Sequence, residues 1–426
     1  MKLSRSPLHR VLVSACLVTS SCSAGVVDNS EPTSPSQLGP QAGAPGATGV
    51  AGVTPVAGAA GRTAAAGSGG AGSTAAGSGG RANPVPGSGG RSGAGTSGGA
   101  GAGGASGAVA GAAGKPSMSG PHDTYYVQDG TLYDACGEAV VLRGINHPTL
   151  YVDRDGKAMP EIAKTGANSV RLFWYATRNV AIGAAETAIK AALDNHMLPI
   201  LEMHDSTCEW SLDKIVDYWT SAEALALIER HKAHLIINIA NEPSAPNDAA
   251  FKTTYTSVVN TLRSAGIHVP LMIDGSNCGR DYDVLLSQGP ALLAADPDHN
   301  LIFSGHLYDR LSADRLAGVY TSFKDAKLTF VVGEFANKSP PGCGAMLDYA
   351  ALIGEAQKHA TGWLAWSWGD DDANSIWNSD CAEFDMTSTF AFDSLQSWGK
   401  EVAVTLPDSI TNTAKRPASL TTGQCR

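Results

Sequence analysis

The chain has 426 residues, a formal net charge of −10 and 49 glycines, of which 28 fall between Gly39 and Gly120. A stretch about one-third glycine with no sustained three-residue period is a linker and cannot build a core, so folded structure is confined to the 305 residues from His122, room for one large domain and too little for two. The acidic balance excludes nucleic acid and disfavours anionic polymers and bilayers as direct partners, while a neutral polymer is indifferent to it.

Residues 1–22 read as an export signal. Lys2, Arg5 and Arg10 precede the apolar run Val11 to Val18, and the small residues Ser20 and Ser21 precede Cys22. Thr19-Ser20-Ser21-Cys22 resembles a bacterial lipoprotein cleavage box, which implies a lipid anchor on Cys22 and a protein secreted or tethered to the outer cell surface. Residues 23–121 are expected to be a disordered tether; about 98 residues of Gly, Ala and Ser reach on the order of 55 Å. Gly93-Ala94-Gly95-Thr96-Ser97-Gly98 inside it matches a dinucleotide fingerprint, but no strand precedes it and no helix follows, so the match is compositional. After Cys22 no stretch of 18 or more apolar residues exists.

From Tyr126 on, short β-branched apolar runs alternate with longer segments of helical period, the pattern of βα units around a parallel sheet. A hairpin comes first, Tyr126-Val127 to Leu132-Tyr133 across Asp129-Gly130. Eight strands follow: Val140 to Asn146, Ser169 to Trp174, Pro199 to His204, Leu235 to Asn241, Pro270 to Asp274, Leu301 to Gly305, Thr329 to Gly333 and Gly362 to Trp366. Helices are expected over Ala184 to Asn195, Leu212 to Arg230, Ala313 to Ala326 and Tyr349 to Ala360. Eight such units close a (β/α)8 TIM barrel, assigned here to residues 122–405, with 406–426 as a C-terminal tail.

In such a barrel the chemistry sits at the C-terminal strand ends, where the loops converge on one mouth. Arg171, His204, Asn241, Glu242, His306, Tyr308, Glu334, Trp366 and Trp368 all fall there. Any one of them has a bland reading as a cap or as packing; their joint placement on one rim favours function. Two acids on opposite sides of a cleft suit glycosidic cleavage, in which the leaving oxygen needs a proton and the anomeric carbon needs a negative partner. Arg171 and Tyr308 are placed to hold Glu334 ionised as the nucleophile, leaving Glu242 as acid/base in a drier place. Asn241 is placed for the sugar 2-hydroxyl, Trp366 and Trp368 for its flat face, and His204 and His306 for its hydroxyls. Neither metal nor cofactor is needed. Asp370-Asp371-Asp372-Ala373-Asn374 begins like a calcium loop but has Ser375 at the glycine position and Cys381 at that of the closing Glu.

Through Arg171, His204, Asn241-Glu242-Pro243, His306-Leu307-Tyr308, Gly333-Glu334-Phe335 and Trp366, the chain resembles glycoside hydrolase family 5. Leu142-Arg143-Gly144-Ile145-Asn146-His147, Glu202-Met203-His204-Asp205 and Gly362-Trp363-Leu364-Ala365-Trp366-Ser367-Trp368 make it most similar to that family's bacterial endo-β-1,4-mannanases. The resemblance implies a retaining mechanism, Glu242 as acid/base, Glu334 as nucleophile, and mannan, glucomannan or galactomannan as substrate for a monomeric enzyme. The competing readings are an endo-β-1,4-glucanase of the same family and, more remotely, a non-catalytic polysaccharide-binding barrel. Three positions depart from the pattern: Pro243 stands where an aromatic residue is usual, Cys208 replaces a Gly, and Asn277-Cys278-Gly279 replaces Gly-Trp-Gly. The six cysteines after the signal allow 15 pairings. The two rim departures suggest Cys208–Cys278, Cys343–Cys381 would join the loops of strands seven and eight in the same way, and Cys136–Cys425 would then pin the ends of the domain.

Overall fold

The computed structural model describes residues 122–178, 180–340, 342–369 and 381–425. The export signal, the linker and the acidic segment from Asp370 to Asn374 lie outside the described residues. Among the described residues no helix is long and apolar enough to cross a membrane.

Three short strands, β1 (Tyr126–Gln128), β2 (Thr131–Tyr133) and β3 (Ala139–Val140), form a small antiparallel sheet, with Tyr126 opposite Tyr133 as the hairpin reading expected. Eight parallel strands then close a barrel: β4 (Arg143–His147), β5 (Ser169–Trp174), β6 (Leu198–Met203), β7 (Ile236–Asn238), β8 (Leu271–Asp274), β9 (Leu301–His306), β10 (Phe330–Glu334) and β11 (Gly362–Ala365), with β11 returning to β4. Every residue of these eight strands is buried, because helices cover one face and the barrel interior the other; this is why they read as unbroken apolar runs.

Three elements differ from the sequence reading by more than a residue. The strand expected over Leu235 to Asn241 is Ile236–Asn238, so Asn241 and Glu242 lie on the loop beyond it. The first expected strand, Val140 to Asn146, is divided: Val140 pairs with Leu132 in the small sheet, and the barrel strand starts at Arg143. The expected helix over Leu212 to Arg230 is two helices, Asp213–Trp219 and Ala222–His231. Ser221 breaks it, taking an extended conformation and capping the second helix by accepting from Ala224 N–H.

The barrel interior has two layers. Below, Ile200, Ile236, Met272, Ile302, Val331 and Leu364 pack with Leu132, Val140 and Leu142, so the small sheet closes the bottom. Residues 406–425 run on to the same end. Leu420 joins that apolar cluster, Arg416 donates to Ala167 O at 2.9 Å, and Cys425 is bonded to Cys136. Above lies a polar layer of Asn146, Arg171, Glu202, Asn238, Asp274, His306 and Glu334, all buried. An apolar plug beneath and a polar layer on top turn the buried polar side chains toward the upper mouth.

Candidate active site

Glu334 ends β10, and a register shift against β9 between Val332 and Glu334 re-aims its side chain so that it lies beside His306. Glu242 follows β7 in a left-handed conformation, φ 46°, which costs a non-glycine residue energy and persists only where neighbours impose it. Here they do: its N–H donates to Asp274 Oδ2 at 3.2 Å, and its carbonyl accepts from Cys208 N–H at 2.9 Å. The result brings a carboxylate oxygen of Glu242 and one of Glu334 within 4.8 Å of each other, although 92 positions separate them in the chain.

Arg171, wholly buried, organises the polar layer. Its Nη1 donates to Glu334 Oε1 at 2.6 Å and to Asn146 Oδ1 at 3.0 Å, its Nε to Asn238 Oδ1 at 2.8 Å, and its Nη2 to Asn241 Oδ1 at 2.7 Å. Glu202 and Asp274 lie 3.4 and 3.6 Å from the same Nη2. Glu202, Glu334 and Asp274, three acids around one guanidinium in one dry space, hold the arginine strongly charged, its pKa pushed upward despite burial. Tyr308 Oη donates to Glu334 Oε2 at 2.9 Å, so each oxygen of Glu334 receives one strong donor.

His306 Nδ1 lies 2.7 Å from Glu242 Oε1 and 3.4 Å from Glu334 Oε2, and its Nε2 is 3.4 Å from Asp274. Burial pushes the imidazolium down, but Glu334, Asp274 and Glu242 outweigh it and hold the ring up at about 9. Burial likewise raises Glu334, against the pull of His306 and Arg171, to about 7. These groups titrate as a set, and the set retains a proton near neutrality. Glu242, expected in the drier place, is the wetter acid: its side chain is 13% exposed and that of Glu334 3%. Glu334 belongs to the barrel wall, whereas Glu242 stands beyond its strand.

Above these acids opens a cavity of about 540 Å³ lined by Tyr175, His204, Thr207, Asn241, Glu242, Asn277, Arg280, Tyr308, Glu334, Pro340, Trp366 and Phe384, together with Cys208 and Cys278. Trp366 stacks on Phe173 at 4.8 Å and lies near His204 at 5.8 Å, an aromatic wall on one side. His204 Nδ1 is held by Glu202 at 3.0 Å. Asn241, in the cavity lining, donates from Nδ2 to Thr207 Oγ1 at 2.9 Å.

Two of the expected sugar-contacting residues are placed otherwise. Trp368 is fully buried, its indole N–H donating to Phe390 O at 2.9 Å, so it backs the wall and presents no face to the cavity. His306 is also fully buried, its nitrogens turned to Glu242, Glu334 and Asp274, whereas Arg171, expected to hold Glu334, is bonded to it. Sequence reasoning did not single out Asn146, Glu202, Asn238 or Asp274; the available signal was a polar side chain inside an otherwise apolar strand. Glu242, His306 and Glu334 also offer three donor atoms close enough to hold a cation.

All three expected disulfides are formed: Cys208–Cys278, Cys343–Cys381 and Cys136–Cys425, with Cα separations of 4.4, 4.8 and 5.2 Å.

A closed barrel with a buried polar layer and two facing carboxylates at its open mouth is the build of a glycoside hydrolase. The chain belongs to glycosyl hydrolase family 5: the family model described as cellulase (glycosyl hydrolase family 5) matches residues 133–372. It is 30% identical over 308 residues to a mannan endo-1,4-beta-mannosidase of Cellvibrio japonicus, covering 68% of this chain and 68% of that one. A mannan endo-1,4-beta-mannosidase of Streptomyces lividans is 33% identical over 292 residues, 65% of this chain and 73% of its own. Among solved structures, the mannohexaose complex of Thermomonospora fusca beta-mannanase is similar with a TM-score of 0.62 at 27% identity, covering 70% of this chain and 99% of that one.

Proposed function

We propose that the domain is a retaining endo-β-1,4-mannanase in which Glu334 is the nucleophile and Glu242 the acid/base. The observation that carries this reading is the approach of the two carboxylates within 4.8 Å across one cavity, close to the ~5 Å that direct attack requires and too near to seat a water between them and the sugar. Glu334 attacks the anomeric carbon while the bond to the leaving oxygen breaks, and that oxygen takes its proton from Glu242. A proton is at hand near neutrality on His306, whose Nδ1 lies 2.7 Å from Glu242 Oε1. Once Glu334 is esterified its charge is gone, so Glu242 ionises more readily and can take a proton from water. The water oxygen attacks the same carbon, the ester electrons return to Glu334, and Glu242 regains its proton.

Arg171 and Tyr308 act on Glu334: two donors keep it ionised enough to attack and stabilise it again as a leaving group. Asn241, fixed through Arg171 and Thr207, is aimed at the 2-hydroxyl, and Trp366 and His204 form the wall for a sugar ring. The relatives named for mannan favour β-mannan polymers over glucan for this chain. Three disulfides are in keeping with an exported enzyme, held by lipid on Cys22 and a long tether, and acting as a monomer. Sizing the products released from mannan and from carboxymethyl-cellulose tests the substrate. Short oligosaccharides from mannan are expected, and equal or greater release from the cellulose derivative would overturn the choice.

A further inference from the structure

We propose that the Cys208–Cys278 disulfide is a positioning device for the acid/base Glu242, an inference that rests on the catalytic roles proposed above. Both cysteines stand at the rim of the cavity, on the loops that follow β6 and β8, and Glu242 lies on the loop between them in barrel order, after β7. The bond therefore crosses over the strand that carries Glu242.

Hydrogen bonds tie both halves of the bridge to that segment. Cys208 N–H donates to the Glu242 carbonyl at 2.9 Å. Cys278 N–H donates to Ser244 Oγ, two residues past Glu242, at 3.0 Å. Ser244 N–H in turn donates to Glu209 O at 2.8 Å, next to Cys208, and Ala245 N–H donates to Ser276 Oγ at 2.8 Å. On the other side of the bridge, Gly279 O accepts from His306 N–H at 2.9 Å, and His306 is the ring that holds Glu242 Oε1. Both the main chain and the side-chain partner of Glu242 are thus one residue from a half-cystine.

The same hub concentrates unfavourable backbone. Ser206, Cys208, Glu242, Asn277 and Cys278 all have positive φ, between 46° and 76°. Such conformations cost energy at non-glycine residues and hold only where the surroundings over-determine them. The bonds from Cys278 to Ser244 and from Ala245 to Ser276 are only part-buried, and the covalent link holds together three loops that would otherwise be free to relax apart. Relaxation would move Glu242 away from the glycosidic oxygen while leaving Glu334, fixed in the barrel wall by Arg171 and Tyr308, where it is.

The test is a comparison of leaving groups. The Cys208→Ser/Cys278→Ser double variant, and separately Ser244→Ala, are assayed on a manno-oligosaccharide and on an aryl mannobioside with an acidic phenol. Glu242→Gln serves as reference and Cys136→Ser/Cys425→Ser as a control that breaks a disulfide at the opposite end of the barrel. The double variant is expected to lose about 10- to 100-fold in kcat/KM on the oligosaccharide and less than about 3-fold on the aryl substrate, since a displaced acid matters only where the leaving group needs a proton. Ser244→Ala should show the same selective loss, smaller in size, and the control should show none. Equal losses on both substrates, or no loss in either variant, would overturn the inference while Glu242→Gln still discriminates between them. If Glu242→Gln itself does not discriminate, the assignment of the acid/base is at fault instead.

Discussion

Arg171 Nη1, wholly buried, donates at 2.6 Å to Oε1 of Glu334, whose carboxylate reaches the floor of the cavity. The same guanidinium also reaches Asn146, Asn238 and Asn241, so one planar group fixes the nucleophile and the residue aimed at the 2-hydroxyl. An ammonium cannot match that fork. Arg171→Lys is therefore expected to lower kcat/KM about 10²-fold or more while the enzyme remains folded. Steady-state kinetics with circular dichroism would check this; near-normal activity would mean that a point charge suffices.

The pH dependence of stability above neutrality follows from buried groups held above their ordinary values, among them His204, raised against burial by Glu202, and two shifted further. His306 moves from its ordinary 6.5 to about 9, and Glu334 from 4.5 to about 7. Both folded values lie above the unfolded ones, so the native state binds more protons and the stabilisation is lost as pH rises through those values. The melting temperature should fall between roughly pH 6.5 and 9, with Glu334 adding to the decline below 7. His234, whose burial lowers its value, works in the opposite sense but only beneath its ordinary 6.5. The slope should flatten in His306→Gln; a melting temperature that climbs across this interval in the parent enzyme would contradict the account.

Gly279 has φ +74°, and a Cβ there would meet His306 Cγ at 2.8 Å. Gly279→Ala must push the ring that holds Glu242, besides straining the loop. A loss of about 10-fold or more in kcat/KM is expected, mostly in kcat, since a misplacement near 1 Å at the reacting groups can cost 10²-fold. Unchanged kinetics would show that His306 has room to yield.

The Cys136–Cys425 bridge joins positions 289 residues apart and fastens the tail to the barrel bottom, far from the mouth. Removing both cysteines should cost about 2–5 kcal/mol of stability, read by chemical unfolding, with kcat unchanged in the folded enzyme. A loss of activity at temperatures where the variant is fully folded would place the tail in the catalytic account.

Much of this was legible in the sequence for a physical reason. Parallel barrel strands are covered on both faces, so they stand out as apolar runs, and a polar residue directly after one, such as Glu334, marks the mouth. Val140 misled because a strand that plugs a barrel is as apolar as one that lines it. Ser221 broke a helix whose apolar period continued across it. Trp368 reads like Trp366 in sequence, but β11 ends at Ala365, beyond which strand alternation no longer decides where a side chain points. The relative burial of Glu242 and Glu334 was not legible either. It depends on how far each stands from its strand, and the register shift before Glu334 and the left-handed backbone at Glu242 leave no mark in residue type.

The central claim is that Glu334 forms a covalent bond to the sugar. A mannobiosyl fluoride carrying fluorine in place of the 2-hydroxyl should inactivate the enzyme and add one glycosyl mass to it, and peptide mapping should locate that mass on Glu334. An adduct on Glu242 or elsewhere, or turnover that inverts the anomeric centre with no adduct at all, would contradict the account.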